Sequence, residues 1–301
     1  MNFSNQKPLD VFLNILFERY STQVPAVRKI TNALISKGVV RGQEEIVNDH
    51  IAFRTLAVPN LGIDSFEKIF LHHGYIKRDH YYFEGKKLNA YWYAPPSPEY
   101  PRIFMSELMV DRLSEGAQEL IHKYTSPISS DPVDALDLDN GEEIGGFFHT
   151  PLWQLPEKSD YQALLEESEY AAWVIYNRYY LNHYTISVHD LKEGYHRLED
   201  FNTFVESLGV KLNTEGGKIK VSPDGLLRQS SSVAEMQTAL FAHGEQMEIA
   251  GSYVEFAERH VLPQYAGLPP SEINASHRRE GFETGNADKI FESTYTKQVK
   301  G

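Results

Sequence analysis

The sequence predicts an α+β protein in which a βαβββ unit occurs twice, with additional helices packed outside the two units. Three observations lead to this: the order of elements recurs between the halves, each half opens on a strand carrying a histidine, and each closes on a strand carrying a glutamate. In strands the side-chain period is two, so a single polar residue inside an apolar run can be assigned to a face.

From Leu9 to Lys37 the apolar residues Val11, Phe12, Ile15, Leu16, Val27, Ile30, Leu34 and Ile35 recur at helical spacing. Pro25 suits the first turn of a second helix, so two amphipathic helices are expected within 8–40. The period then changes. Val47–Leu56 is β-branched and aromatic, and Pro59, Asn60 and Gly62 mark a strand-to-helix turn. Asp64–His73 reads as a helix with Asp64 as its N-cap and Gly74 as its stop. Three extended stretches follow, YIKRDHYYFE, LNAYWYAPP and PRIFMSELMV, completing a first unit over 46–110.

Residues 111–181 read as a helical connection, with helices in RLSEGAQELIHKY and YQALLEESEYAAWVIYNRYYL around an acidic segment from Asp131 to Gly146. The second unit spans 182–260: NHYTISVH as strand, LEDFNTFVESLG as helix, KIKVSPDG and LLRQSSSVAEMQTALF as strands, and GSYVEFAER as the last strand. Residues 261–301 read as a tail whose last dozen residues are loose, and the whole of 1–301 as a single domain.

Composition narrows the function. Acidic residues number 42 against 29 basic ones, a formal charge of -13 that repels a phosphate backbone, so a small-molecule partner is expected and nucleic acid is not. Charges interrupt the N-terminal apolar stretch, which therefore reads as neither a signal peptide nor a membrane span. With no cysteine, a metal site must be made from His, Asp and Glu, and a reducing cytoplasm fits. The sequence contains no P-loop, no GxGxxG after a strand, no HExxH and no GxSxG.

Among the 12 histidines, His50 and His183 stand apart because each lies in an apolar first strand directly after an Asp or Asn. A buried imidazole requires a partner. Glu107 and Glu255 occupy the closing strands. If the two units pair about a pseudo-twofold axis, His50, His183 and Glu255 converge as a two-histidine, one-carboxylate site, which suits Fe(II), with Zn(II) or Mn(II) also compatible with these ligands. Alternation turns Glu258 to the other face and toward solvent. Arg54 shares the His50 face, where a guanidinium needs an anion: a substrate carboxylate, or an internal acid such as Glu107. Ser230, Ser231 and Ser232 offer hydroxyls to a substrate, or are ordinary strand residues.

NDHIAFRT, FMSEL, NHYTISV, LLRQSS and YVEFAER, in this order, resemble the 2-oxoadipate dioxygenase/decarboxylase family of the vicinal oxygen chelate superfamily, similar in fold to hydroxyphenylpyruvate dioxygenase. The resemblance covers about Val47 to Arg259. It implies a half-open barrel around the metal, His50, His183 and Glu255 as iron ligands, and Arg54 as the arginine that holds a substrate carboxylate. It further implies oxidative decarboxylation of 2-oxoadipate by O2, giving 2-hydroxyglutarate and CO2 in lysine breakdown.

Other readings stay open at this stage. Glu107 is a candidate to bind substrate through a proton or water, as Arg54 and Ser231 are through their donors; were Glu107 instead a fourth ligand, a glyoxalase-like isomerase or lyase would be favoured, and a metal-bound water would serve a metallohydrolase. A non-catalytic small-molecule binding module is the remaining alternative.

Overall fold

The computed structural model describes residues 3–300. Helices α1 (Pro8–Gln23) and α2 (Pro25–Ser36) come first, both with proline in the first turn, as expected for Pro25. The first unit comprises β1 (Asn48–Leu56), α3 (Ile63–His72), β2 (Ile76–Phe83), β3 (Leu88–Ala94) and β4 (Arg102–Leu108). The connection holds α4 (Glu115–Thr125), α5 (Gly141–Phe147), α6 (Lys158–Glu167) and α7 (Glu169–Asn177). What reads as one long helix is two, because the Ser168 hydroxyl accepts from Ala171 N–H and starts a new helix there.

The second unit comprises β5 (His183–Ser187), α8 (Leu198–Ser207), β6 (Lys220–Val221), β7 (Leu227–Ser231) and β10 (Tyr253–Arg259). Here the expected strand LLRQSSSVAEMQTALF divides: after β7, residues Met236–Leu240 form β8, which pairs only with β9 (Gln246–Ala250) as a hairpin outside the main sheet. The unit is therefore βαβββ with a hairpin inserted before its last strand.

Both units share one curled sheet of order β2-β3-β4-β1-β5-β10-β7-β6. Its centre is the antiparallel β1–β5 pair, with His50 opposite Thr185, Ile51 opposite Tyr184 and Ala52 opposite His183. A twofold axis through the Ile51–Tyr184 pair exchanges His50 with His183. Carried outward along the parallel β1–β4 and β5–β10 pairs, it exchanges Arg102 with Tyr253, and Phe104 with Glu255.

One face of β1 presents Phe53 to Phe66 and Phe70 of α3 and to Phe148, within an apolar core that extends from Leu9 to Phe291. Helix α1 braces the central strands: the Tyr20 hydroxyl donates to the Tyr253 carbonyl and accepts from Tyr184 N–H. The opposite face is covered by the C-terminal segment, α9 (Thr284–Ile290), the turn Phe291–Thr294 and α10 (Thr296–Lys300). This corrects the expectation of a loose tail: Phe282, Ile290 and Phe291 are buried against the sheet.

Candidate active site

His50, His183 and Glu255 converge beneath the C-terminal segment, their ligating atoms all within 4.8 Å of one another. The two Nε2 atoms stand 3.3 Å apart. Glu255 places Oε2 3.1 Å from His183 Nε2 and Oε1 3.6 Å from His50 Nε2. Asp49, an acceptor only, faces His50 Nδ1 at 2.8 Å, and Asn182 Oδ1 faces His183 Nδ1 at 3.0 Å. With the protons on Nδ1, both Nε2 lone pairs and a carboxylate are directed at one point, an arrangement that a divalent cation satisfies. Thr185 Oγ1 lies 3.0 Å from His50 Nε2, and Gln229 donates to Glu255 Oε1 at 2.7 Å.

The electrostatics follow from burial and these neighbours. Burial pushes His183 down to about 4, so it is neutral and its lone pair free. Burial opposes ionisation of Glu255 too, but the two imidazoles overcome it and hold the acid down to about 2. His50 is raised, Glu255 and Asp49 outweighing burial. Asp49 is fully buried and held well below the usual carboxylate range, because Arg259 and Arg102 overcome its desolvation. Arg259 also donates to the carbonyls of Arg279 and Gly281, next to Phe282, which packs edge-on against His50 with ring centres 4.8 Å apart.

Arg54 is only 1% exposed, and no carboxylate lies within ion-pairing distance of it among the described residues. Its Nη1 donates to Thr294 Oγ1 at 2.9 Å and its Nη2 to the Phe291 carbonyl at 3.0 Å, both in the C-terminal segment. The rings of Tyr170, Trp173 and Phe291 surround it at 5.1 to 5.6 Å. Its Nε has no partner, and neither have the Tyr253 hydroxyl and Asn182 Nδ2. All three residues line one cavity of about 360 Å³ with the histidines, Glu255, Gln229 and an apolar wall including Phe104, Phe282 and Phe291.

Two expected site residues lie elsewhere. Glu107 is not in the cavity: strand alternation turns it to the α3 side, where its Oε2 accepts Ile63 N–H at 3.0 Å and caps the helix in place of Asp64. Gly62 makes room for it, with φ +83 and a Cβ position that would fall 2.9 Å from Glu107 Oε2. The twofold mate of Glu255 is instead Phe104, which supplies no fourth ligand. Arg54 consequently has no ion pair with Glu107. Ser231 is buried, but its hydroxyl bonds Ser293 at 2.8 Å, and Gln229, two residues earlier on the same face, is the β7 residue that reaches the cavity. Glu258 is not solvated: it accepts Leu198 N–H at the start of α8 and an Arg228 N–H. Sequence pattern assigns no role to Tyr253 or Gln229, whereas the Asp and Asn preceding each histidine are a visible signal for Asp49 and Asn182, the residues that hold the rings.

Paired βαβββ units in one curled sheet, with a histidine on each central strand and a carboxylate beside them, define a protein of the vicinal oxygen chelate class. The fold is shared by a protein from Ralstonia eutropha JMP134 named as a proposed member of the glyoxalase superfamily, which superposes with a TM-score of 0.70 at 22% identity over 93% of this chain and 88% of its own. The chain belongs to the 2-oxoadipate dioxygenase/decarboxylase family, whose sequence model matches residues 12–268. It is 47% identical over 270 residues to the chloroplastic 2-oxoadipate dioxygenase/decarboxylase of Arabidopsis thaliana, covering 85% of this chain and 70% of that protein. The crystal structure of hydroxyglutarate synthase from Oryza sativa in complex with 2-oxoadipate is also similar, with a TM-score of 0.87 and 43% identity over 96% of this chain and 93% of that one.

Proposed function

We propose that this chain is an Fe(II)-dependent dioxygenase that converts 2-oxoadipate and O2 to 2-hydroxyglutarate and CO2, a step of lysine degradation. The observation that carries this reading is a buried two-histidine, one-carboxylate cluster sharing a cavity with a buried guanidinium that has no carboxylate partner. Together they call for a cation at one end and an anionic ligand at the other. The names of the relatives support the choice of substrate.

His50, His183 and Glu255 would hold the metal, which when bound supplies the redox chemistry and Lewis acidity of 2-oxo acid decarboxylation. Asp49 and Asn182 fix the ring orientations by accepting the Nδ1 protons, and Gln229 occupies one Glu255 oxygen, so the donor set is pre-arranged. Phe104, at the twofold position where a fourth ligand would sit, leaves room for substrate and O2; this weighs against an isomerase with four protein ligands.

Arg54 binds the far carboxylate of the dicarboxylic acid, and the free Nε, the Tyr253 hydroxyl and Asn182 Nδ2 are donors waiting for substrate oxygens. Because Arg54 is already desolvated, an incoming carboxylate relieves a standing cost. The aromatic wall and the C-terminal segment exclude water from the methylene chain between the two ends.

The test is turnover of 2-oxoadipate by the Fe(II)-loaded protein under air, with the organic product identified by mass spectrometry and CO2 trapped. Equal amounts of 2-hydroxyglutarate and CO2 are expected. A product formed equally well without O2 would replace this reading with an isomerase or hydrolase.

A further inference from the structure

A second cleft lies away from the metal cluster, between the end of α1, the segment after α5, the end of α7 and the β8–β9 hairpin. It opens to solvent, with about 830 Å³ of free space, and no carboxylate lines it. In a chain with a formal charge of -13 this is a local inversion of sign. We propose that this cleft is a second ligand site, for a small molecule bearing a phosphate group.

Its cations are Arg19 and Arg178. Neither makes an ion pair among the described residues: Arg19 lies over the ring of Tyr180 at 5.3 Å, and Arg178 donates only to main-chain carbonyls, chiefly that of Trp153. Arg178 is partly buried and adopts φ 56 and ψ -132, a strained conformation for a residue with a side chain. Strain of this kind persists where surrounding structure enforces it and is concentrated at ligand sites. In the same cleft, the Tyr180 hydroxyl and His149 Nε2 are buried without a hydrogen-bond partner, and Tyr180 is only 9% exposed. Thr238 adds no free donor, since its hydroxyl bonds Glu248.

Two guanidinium groups, an imidazole and a phenol offer more donors than a single carboxylate accepts, and they match the several oxygens of a phosphate. Tyr176 and Phe148 give the cleft apolar walls for the rest of the molecule. The anion would replace water around the guanidinium groups and satisfy the orphaned hydroxyl.

The probe is inorganic phosphate, titrated at low ionic strength into the metal-loaded protein and its variants and followed by calorimetry. Saturable binding is expected, weakened roughly tenfold by Arg19→Gln and by Tyr180→Phe, as for loss of one hydrogen bond to a charged group, and unchanged by Arg54→Gln. Tyr180→Phe removes a hydroxyl with no partner to strand, so its melting temperature without phosphate should match the parent. No saturable binding, or binding that survives both cleft variants but is lost in Arg54→Gln, would overturn the proposal; the latter would assign the phosphate to the active-site cavity.

Discussion

Arg259 grips Asp49 through both carboxylate oxygens, Nε at 2.6 Å and Nη2 at 2.9 Å, while the same carboxylate faces His50 Nδ1 at 2.8 Å. These contacts connect the His50 imidazole with the segment over the cavity, because Arg259 also holds the Arg279 and Gly281 carbonyls. Asp49→Asn should therefore weaken metal binding by about 10- to 100-fold, the usual cost of losing an outer partner of a ligating histidine, and should also lower the unfolding midpoint, because the buried Arg259 charge loses its carboxylate. Competition against a chromophoric chelator measures the first effect. Arg259→Met should destabilise the fold by up to about 3–5 kcal/mol in a denaturant titration, since it leaves the buried Asp49 carboxylate with Arg102, 3.5 Å away, as its remaining guanidinium partner.

Arg54 gives the opposite pattern. It has no carboxylate to strand, so Arg54→Met should be neutral or stabilising in the substrate-free protein while leaving the metal in place. Anaerobic binding of 2-oxoadipate should weaken by about 2–5 kcal/mol, the cost of removing one partner of a buried charged pair. Unchanged substrate affinity would remove Arg54 from its assigned role.

The C-terminal segment predicts a packing effect. Phe291 is 6% exposed, touches Phe83 edge-on with ring centres 5.1 Å apart, and offers its ring and carbonyl to Arg54. Phe291→Ala should cost about 3–5 kcal/mol of stability, and it should admit water to the cavity. Hydrogen exchange of the β1 amides, compared with the parent protein, reports the second effect.

Acid stability has an assignable source in Glu258. His260, Leu198 N–H and Arg228 overcome burial and hold it down to about 2, from an ordinary 4.5. A depressed folded-state value means stabilisation that is full above pH 4.5 and is lost as pH falls from there to about 2. Glu258→Gln should be less stable at neutral pH, and its stability should fall less steeply across that window, as read from urea midpoints at a series of pH values.

Much of this site was legible in the sequence because its elements are local. His50 and His183 sit in apolar strands of period two, and the repeated element order brought those strands together. The choice between Glu107 and Phe104 was not legible, since it depends on which residue of β4 lies opposite Ala52, and that register is set by pairing across the sheet. Residue type favoured a glutamate; strand alternation turned it toward α3. The role of the C-terminal segment was hidden for a related reason. Phe282 is separated from Ile290 and Phe291 by Glu, Thr, Gly, Asn, Ala, Asp and Lys, and the three are buried by contact with distant strands, Phe282 and Phe291 against Phe104 of β4 and Ile290 against Tyr253 of β10. The Tyr253 hydroxyl and Asn182 Nδ2 are marked by buried polar atoms without partners, a property of the folded cavity that residue type does not carry.

The central claim is that His50, His183 and Glu255 are the protein's metal ligands and that the open remainder of the site admits substrate and O2. The most direct measurement loads the protein anaerobically with Fe(II), adds 2-oxoadipate and then oxygen, and records O2 uptake and CO2 release beside Zn(II)-loaded and Glu255→Ala samples. The account predicts one O2 consumed per CO2 released with Fe(II), and neither in the two controls. Full uptake by Glu255→Ala, or CO2 release that proceeds with Zn(II), would contradict it.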